Sequence, residues 1–239
     1  MVYRWAEIIR NTLLPPVCLL CGAPGNGGRD LCEGCAAELP RNRHACARCA
    51  EALPAGAAGA VCGRCQRRPP HFDAALAPLR YAYPVDALVL QLKFGHRIAV
   101  ARLLGELLAD ALDGRPGPLP ELLIPIPLHP RRLRERGFNQ AAEIARTLAR
   151  RSGVALAEHA MQRARHTRAQ STLPFAERAA NVARAFVLHE HVRARHVALV
   201  DDVVTTGHTV DAAARTLRLQ AGVERIEVWA PARTPPPDG

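Results

Sequence analysis

Uninterrupted apolar runs and helically spaced apolar positions alternate along the chain after residue 70. Residues 197–200 read VALV and predict a buried strand, and residues 209–220 then follow the spacing of a helix. The run ELLIPIPL at 121–128 predicts a second strand, although Pro125 and Pro127 confine it to a sheet edge or a strand end. The pattern therefore predicts strands that alternate with helices along this part of the chain.

Other stretches extend this alternation. Residues 85–94 and 98–112 carry helical spacing, and GFNQAAEIARTLARRSG predicts a helix that Gly153 ends. FDAALAPLRYAY at 72–83 alternates loosely and predicts a strand pair, and VERIEVWAPA at 223–232 predicts a further strand. Strands that alternate with helices predict an α/β fold with a mainly parallel sheet and flanking helices.

The first 65 residues contain all eight cysteines, arranged as four Cys-x-x-Cys pairs. Two sulfurs at this spacing can point at one tetrahedral metal ion, so eight thiolates predict two structural four-cysteine zinc sites. A disulfide scaffold is the competing interpretation. The candidate zinc ligands are Cys18, Cys21, Cys32, Cys35, Cys46, Cys49, Cys62 and Cys65.

The pairing of these cysteines stays open at the level of sequence. We expect the first pair to join the second and the third to join the fourth, with an interleaved arrangement as the alternative. Because the cysteines stop at residue 65, we expect two parts. Residues 1–70 form an N-terminal helix and double zinc-ribbon module, and residues 71–239 form the α/β domain.

The N-terminal stretch does not predict a membrane span. It has some apolar character, but Glu7, Arg10 and two prolines interrupt it well short of the length that a bilayer requires. Residues 2–14 fit a short amphipathic helix instead. We expect a cytoplasmic protein without membrane insertion, and a reducing cytosol argues against the disulfide scaffold.

Composition and charge narrow the choice of partners. The chain has 239 residues, is 49% hydrophobic and has a formal net charge of +10. That charge suits nucleotides, phosphosugars or nucleic acid, although an alanine- and arginine-rich composition from a GC-rich genome would give the same balance. Lys93 is the single lysine among 32 lysine and arginine residues, so a compact ammonium is specifically placed there.

Two adjacent carboxylates, Asp201 and Asp202, end the predicted strand 197–200. Ligands of parallel sheets bind beyond the carboxyl ends of the strands. A turn of threonines around Gly207 follows and leads directly into a helix N-terminus, where backbone N–H groups and hydroxyls can hold one phosphate. A ribose phosphate fits, with its hydroxyls on the carboxylates. The simpler alternative is that these residues only cap the helix.

This stretch resembles the phosphoribosyl-pyrophosphate (PRPP) motif of type I phosphoribosyltransferases. Together with PIPLHPRRLRERGFNQA, RARHTRAQSTLPFAERAANVARAF, QLKF and the cysteine pairs, it also resembles the competence protein F (ComF) family over nearly the whole chain. The resemblance implies a zinc-ribbon module before a type I phosphoribosyltransferase-like domain. It also implies a role in the uptake of transforming DNA.

The resemblance further implies site residues. Asp201 and Asp202 would be catalytic, and PRPP would be bound with Mg²⁺. A second group would hold pyrophosphate or form a lid that closes over PRPP, with a solvated basic helix start and an ordinary surface loop as alternatives. The PRPP-binding residues are Asp201, Asp202, Val203, Val204, Thr205, Thr206, Gly207, His208 and Thr209. The pyrophosphate and lid residues are Lys93, Arg131, Arg132, Arg136, Arg163, Thr167, Gln170 and Arg178.

Two functions remain open from the sequence. The first is a Mg²⁺-dependent phosphoribosyltransferase whose acceptor the sequence does not name. The second is a non-catalytic protein that binds single-stranded DNA or a DNA-uptake helicase, with PRPP regulatory or vestigial. Charge alone does not separate them, and 4% aromatic residues are few for an extended base-stacking surface.

Overall fold

The computed structural model describes residues 15–57, 59–163 and 185–235. The expected N-terminal helix at 2–14 lies outside these ranges. The helices and strands are α1 Glu33–Ala37, α2 Gly63–Arg67, β1 Ala74–Leu76, β2 Leu79–Arg80, α3 Val85–Phe94, α4 Ile98–Asp110, β3 Leu122–Pro125, α5 Pro130–Arg136, α6 Gln140–Ser152, β4 Ala155–Leu156, β5 Met161–Arg163, β6 Phe186–Leu188, β7 His196–Val200, β8 Val203–Val204, α7 His208–Ala221, β9 Arg225–Trp229 and β10 Ala232–Arg233.

The main sheet has five strands in the order β1-β9-β7-β3-β4, and every pairing in it is parallel. A second parallel sheet has the order β2-β10-β8, and β5 pairs antiparallel with β6. The predicted α/β class with a mainly parallel sheet is confirmed. Pro125 is the last residue of β3, which lies between β7 and β4, so the proline marks a strand end and not an edge.

Strand β7 occupies the middle of the main sheet, and all five of its residues are buried. Its side chains alternate between two hydrophobic clusters. Ala198 and Val200 join the cluster that contains α3, α4 and α6, whereas Val197 and Leu199 join the cluster that contains α7. Helices therefore cover both faces of the strand, which explains why its sequence is continuously apolar.

The helices 85–94 and 98–112 and the helix that Gly153 ends are present, the second of them ending at Asp110. The expected strand pair at 72–83 forms β1 and β2, but the two do not pair with each other. Each pairs parallel with a C-terminal strand, β1 with β9 and β2 with β10. The chain thus uses both segments to extend sheets that it completes only at its C-terminus.

The N-terminal region packs onto the α/β part. Leu31 and Leu39 are buried in the same hydrophobic cluster as Leu88 and Leu104 of the helical layer. The boundary near residue 70 stays a prediction. Within the described ranges, we find no helix that combines the length and the apolar character needed to cross a bilayer.

Candidate functional site

The eight cysteines form two groups of four. Within each group, the four Sγ atoms lie within 4.8 Å of one another. The predicted sequential pairing is confirmed, and the interleaved alternative is wrong. The groups are called cluster 1 (Cys18, Cys21, Cys32, Cys35) and cluster 2 (Cys46, Cys49, Cys62, Cys65).

Both clusters fit zinc. The Sγ atoms of Cys21 and Cys32 are 3.6 Å apart, and those of Cys49 and Cys62 are 3.7 Å apart. Four sulfurs held about 2.3 Å from one tetrahedral ion would stand about 3.8 Å from each other. All eight cysteines are free, so the disulfide alternative does not apply. Four thiolates leave no open coordination position, and the zinc ions they fit are structural.

Backbone amides prepare cluster 2 for a metal. The Cys62 N–H donates to Cys46 Sγ at 3.2 Å. Burial raises the pKa of the Cys46 thiol, but the backbone N–H groups of Cys62, Cys49 and Arg48 lower it, and the resulting pKa is about 7. A thiol with that pKa loses its proton readily, as ligation requires.

The two aspartates lie at the carboxyl end of β7, as predicted. Beside them, the neighbouring strands continue the main sheet: the Asp201 N–H donates to the Trp229 carbonyl at 3.0 Å, and the Ile126 N–H donates to the Val200 carbonyl at 2.8 Å. The Asp202 N–H turns back to Asp201 Oδ1 at 2.9 Å. This edge of the sheet is where ligands of parallel sheets bind.

The single lysine of the chain contacts this pair. Lys93, in the last turn of α3, places Nζ 3.0 Å from Asp202 Oδ2, and the two side chains are 21% and 14% exposed. The residues are 109 positions apart in the sequence, so only the fold brings them together. The contact places a cation beside two carboxylates at the candidate ligand-binding edge.

The surroundings of the aspartate pair favour the protonated form of Asp201. Burial and the charge of Asp202 raise the pKa of Asp201 to about 8, while the Asp202 backbone N–H and Lys93 act in the opposite direction. Asp201 therefore holds a proton near neutral pH in the folded chain. A ligand with hydroxyl groups or a metal cation would release that proton by stabilising the carboxylate.

We expect Asp201→Asn to raise the melting temperature at high pH. A carboxyl group with a raised pKa keeps its proton in the folded chain but loses it near pH 4 in the unfolded chain, so it costs stability as the pH rises toward 8. Asparagine removes that cost. The expected gain at pH 9 is about 2–4 °C, equivalent to about 1 kcal/mol, and it shrinks toward pH 5. Thermal unfolding at pH 5, 7 and 9 checks this, and an equal shift at all three pH values contradicts it.

The segment after the aspartates forms the loop that the sequence predicts, with one difference. Val203 and Val204 are not open loop but the short strand β8, which pairs with β10 and buries both side chains. Gly207 has φ +84° and caps α7, a helix of 14 residues. That conformation requires glycine and turns the chain so that Thr205 and Thr206 remain exposed before the helix begins. Residues 203–209, for which the sequence predicts phosphate binding, are called the anion loop below.

The basic segment after β3 forms a short helix, α5. Pro130 occupies its first turn, and His129 Nδ1 accepts the Arg131 N–H at 3.2 Å, so the helix is capped. Arg131 is exposed and pairs with Glu135 on the same helix. The alternative of a solvated basic helix start therefore describes Arg131.

Another predicted arginine, Arg163, interacts with the carboxylate pair. Burial lowers the pKa of Arg163 and the charge of Arg132 lowers it further, whereas Asp201 raises it, so Arg163 interacts electrostatically with both of these side chains. Arg136 instead places its guanidinium 5.6 Å from the centre of the Phe94 ring. The predicted lid residues Thr167, Gln170 and Arg178 lie outside the described residues.

Sequence reasoning missed two arginines that contact the anion loop. Arg64, between the last two cysteines, donates to the Thr206 carbonyl at 3.2 Å, and Arg233 donates to the Val204 carbonyl at 2.9 Å. The position of Arg64 inside a Cys-x-x-Cys pair could have drawn attention to it. Nothing in the sequence pairs residue 233 with residue 204.

Fold and site together define a double-zinc-ribbon protein joined to a parallel α/β sheet that carries a candidate ligand-binding edge. The double zinc ribbon domain family matches residues 9–66. The chain is 36% identical to DNA utilization protein YhgH of Salmonella typhi over 226 residues, which is 92% of this chain and 98% of the relative. It is 34% identical to competence protein F of Haemophilus influenzae over 210 residues, which is 85% of this chain and 90% of the relative. The chain belongs to the family of these proteins, as the resemblance implied.

Proposed function

We propose that this protein binds PRPP at the carboxyl end of β7 and acts as a Mg²⁺-dependent phosphoribosyltransferase in DNA uptake. The observation that carries the proposal is the grouping of Asp201, Asp202 and Lys93 directly before the anion loop. A helix cap needs one polar residue. It needs neither a second carboxylate nor a lysine brought from another helix.

The residues divide between the two ends of the ligand. The anion loop, with Gly207 at the start of α7, would hold the 5′-phosphate by its backbone N–H groups and threonine hydroxyls. Asp201 and Asp202 would accept hydrogen bonds from the ribose hydroxyls. Carboxylate oxygens are also ligands that Mg²⁺ prefers, and the ion would supply charge neutralisation for the pyrophosphate.

The reaction requires little covalent chemistry from the protein. The bond between ribose C1 and pyrophosphate breaks while a nucleophilic acceptor forms a bond to C1, and pyrophosphate leaves with the bonding electrons. Lys93, Arg132 and Arg163 would neutralise charge on the departing group, and the aspartates would hold the ribose and stabilise positive charge on its ring. The acceptor is left open by this arrangement.

We expect Lys93→Met to weaken PRPP binding about tenfold while the fold is retained. Methionine keeps the length and the apolar stem of lysine but removes the ammonium that contacts Asp202. Lys93→Arg, which retains the charge on a larger group, should lose less PRPP affinity than Lys93→Met. Calorimetric titration of PRPP with Mg²⁺ measures both variants, and unchanged affinity of Lys93→Met would remove this lysine from the site.

The second candidate function is binding of single-stranded DNA without catalysis. Its support is Phe94, which is 67% exposed and lies under the Arg136 guanidinium, because stacking rings beside basic groups are typical of single-strand binding. The names of the relatives refer to DNA utilization and competence. Anisotropy with a labelled oligonucleotide at several salt concentrations tests it, since phosphate contacts give a steep salt dependence. A helicase partner and a cytoplasmic location stay predictions.

A further inference from the structure

The second zinc ribbon and the anion loop share two arginines. Arg233 is 3% exposed, and its guanidinium donates to the Cys49 carbonyl at 3.1 Å and to the Val204 carbonyl at 2.9 Å. Arg64 donates to Thr206 O at 3.2 Å, while its other terminal nitrogen lies 3.6 Å from Cys49 Sγ. Each arginine thus has one end on cluster 2 and the other on a carbonyl of the anion loop.

Glu51 holds the two arginines together. Its carboxylate lies 2.9 Å from Arg64 and 3.6 Å from Arg233. Four thiolates around a divalent ion carry a net negative charge, which adds a second anion beside Arg64. With zinc bound, both guanidinium groups are therefore anchored on the ribbon side and donate their remaining N–H groups to the loop.

These bonds fix the direction of two loop amides. In a trans peptide the C=O and the following N–H point in opposite directions. The Val204 carbonyl accepts from Arg233 and, at 3.0 Å, from the Thr234 N–H, and these bonds turn the Thr205 N–H away from the ribbon. The bond from Arg64 to the Thr206 carbonyl does the same for the Gly207 N–H. Both amides belong to the loop that would hold the phosphate.

The linker between ribbon and α/β domain is tied to the same helix. The His71 N–H donates to Asp211 Oδ1 at 2.6 Å in the first turn of α7, and Arg218 of α7 pairs with Asp73 at 2.7 Å. Cluster 1 makes a different contact. Arg29, which lies between Cys21 and Cys32 in the sequence, pairs with Glu106 and Asp110 of α4, at 3.2 Å and 2.7 Å.

We propose that Arg64 and Arg233 are positioning residues through which zinc-loaded cluster 2, and not cluster 1, sets the form of the anion loop. Zinc occupancy of cluster 2 then controls how well the loop binds a phosphate. By thermodynamic linkage, a bound ligand must in turn slow the release of zinc from cluster 2. The part of this proposal that concerns ligand affinity rests on the proposed function.

The first test is hydrogen–deuterium exchange on the zinc-loaded protein without PRPP. In Arg64→Ala, a half-exposed position, we expect amides of the peptide that contains 203–209 to exchange about tenfold faster, with exchange in β7 and β9 unchanged. Arg29→Ala is the matched control, because it removes an arginine between the other ribbon and a different helix. Unchanged exchange in Arg64→Ala, or equal acceleration in Arg29→Ala, overturns the proposal.

The second test measures PRPP affinity and zinc release. Arg64→Ala should bind PRPP about tenfold more weakly, and PRPP with Mg²⁺ should slow the transfer of one of two zinc ions to a colorimetric chelator in the wild type but not in this variant. If Arg64→Ala loses zinc, both tests are repeated with Glu51→Gln, because the Glu51 side chain contacts the two arginines. A wild type that binds no PRPP refutes the proposed function and the affinity part, whereas normal PRPP binding by every variant refutes the positioning role alone.

Discussion

We expect removal of zinc to unfold the N-terminal module of this protein. The ribbon helices α1 and α2 have five residues each, and α1 buries none of them, so they have little stability of their own. Structural zinc supplies about 10–16 kcal/mol of folding free energy in comparable small modules, which exceeds the few kcal/mol that so small a core provides. The metal is therefore the main source of order in this part of the chain.

The measurement combines metal analysis with limited proteolysis. We expect two zinc ions per chain, and we expect chelation to expose the arginine-rich segment between the clusters to trypsin. Cys21→Ser and Cys49→Ser should each lose one ion, and addition of zinc to the chelated wild type should restore resistance. One ion or none per chain, or a module that resists trypsin without metal, would contradict the two-cluster arrangement.

We expect the double variant Asp201→Asn with Asp202→Asn to abolish PRPP binding while the zinc content and the fold remain intact. Each carboxylate that accepts a ribose hydroxyl contributes about 1.5–3 kcal/mol, so loss of both weakens binding about 100-fold or more. Asparagine matches aspartate in shape, and the hydrogen bond from the Asp202 N–H to the side chain of residue 201 can persist. Stability is therefore expected to hold or to rise.

Asp113→Asn is the matched control for the double variant. Asp113 is exposed and lies in the loop before β3, at the opposite end of the strands from Asp201. The Asp113→Asn substitution changes the net charge but not the site, so the PRPP affinity of this variant should equal that of the wild type. Normal PRPP binding by the double variant, or the same loss in Asp113→Asn, would remove the carboxylates from the proposed site.

The parts of this structure that depend on local pattern could be predicted. Strand β7 is covered on both faces, so burial requires a continuous apolar run, and that run is visible at 197–200. The cysteines bind in sequential groups because each Cys-x-x-Cys pair is a local turn, and a neighbouring pair completes the tetrahedron. Gly207 and the threonines follow a strand directly, so their position at a helix N-terminus could also be inferred.

The parts that depend on distant contacts could not be predicted. Lys93 stands out in the sequence as the only lysine, yet its partner Asp202 follows only from how α3 packs beside the sheet. Arg233 hydrogen-bonds to residues 49 and 204 because β10 pairs with β8 next to the second ribbon. No spacing in the sequence predicts that these three residues lie together. A helix start at α5 was only an alternative at the level of sequence, because a short basic segment lacks apolar periodicity and its signal is limited to Pro130 and the cap from His129.

Calorimetric titration of PRPP with Mg²⁺ into the zinc-loaded wild type tests the central claim most directly. Ribose 5-phosphate and pyrophosphate are titrated separately, because each represents one part of PRPP and would make only the contacts proposed for that part. We expect one PRPP site per chain with micromolar affinity, weaker binding of both halves, and no binding to the double aspartate variant. Absence of binding to the wild type would contradict the account and would leave the carboxylate pair at the end of β7 without a ribose ligand.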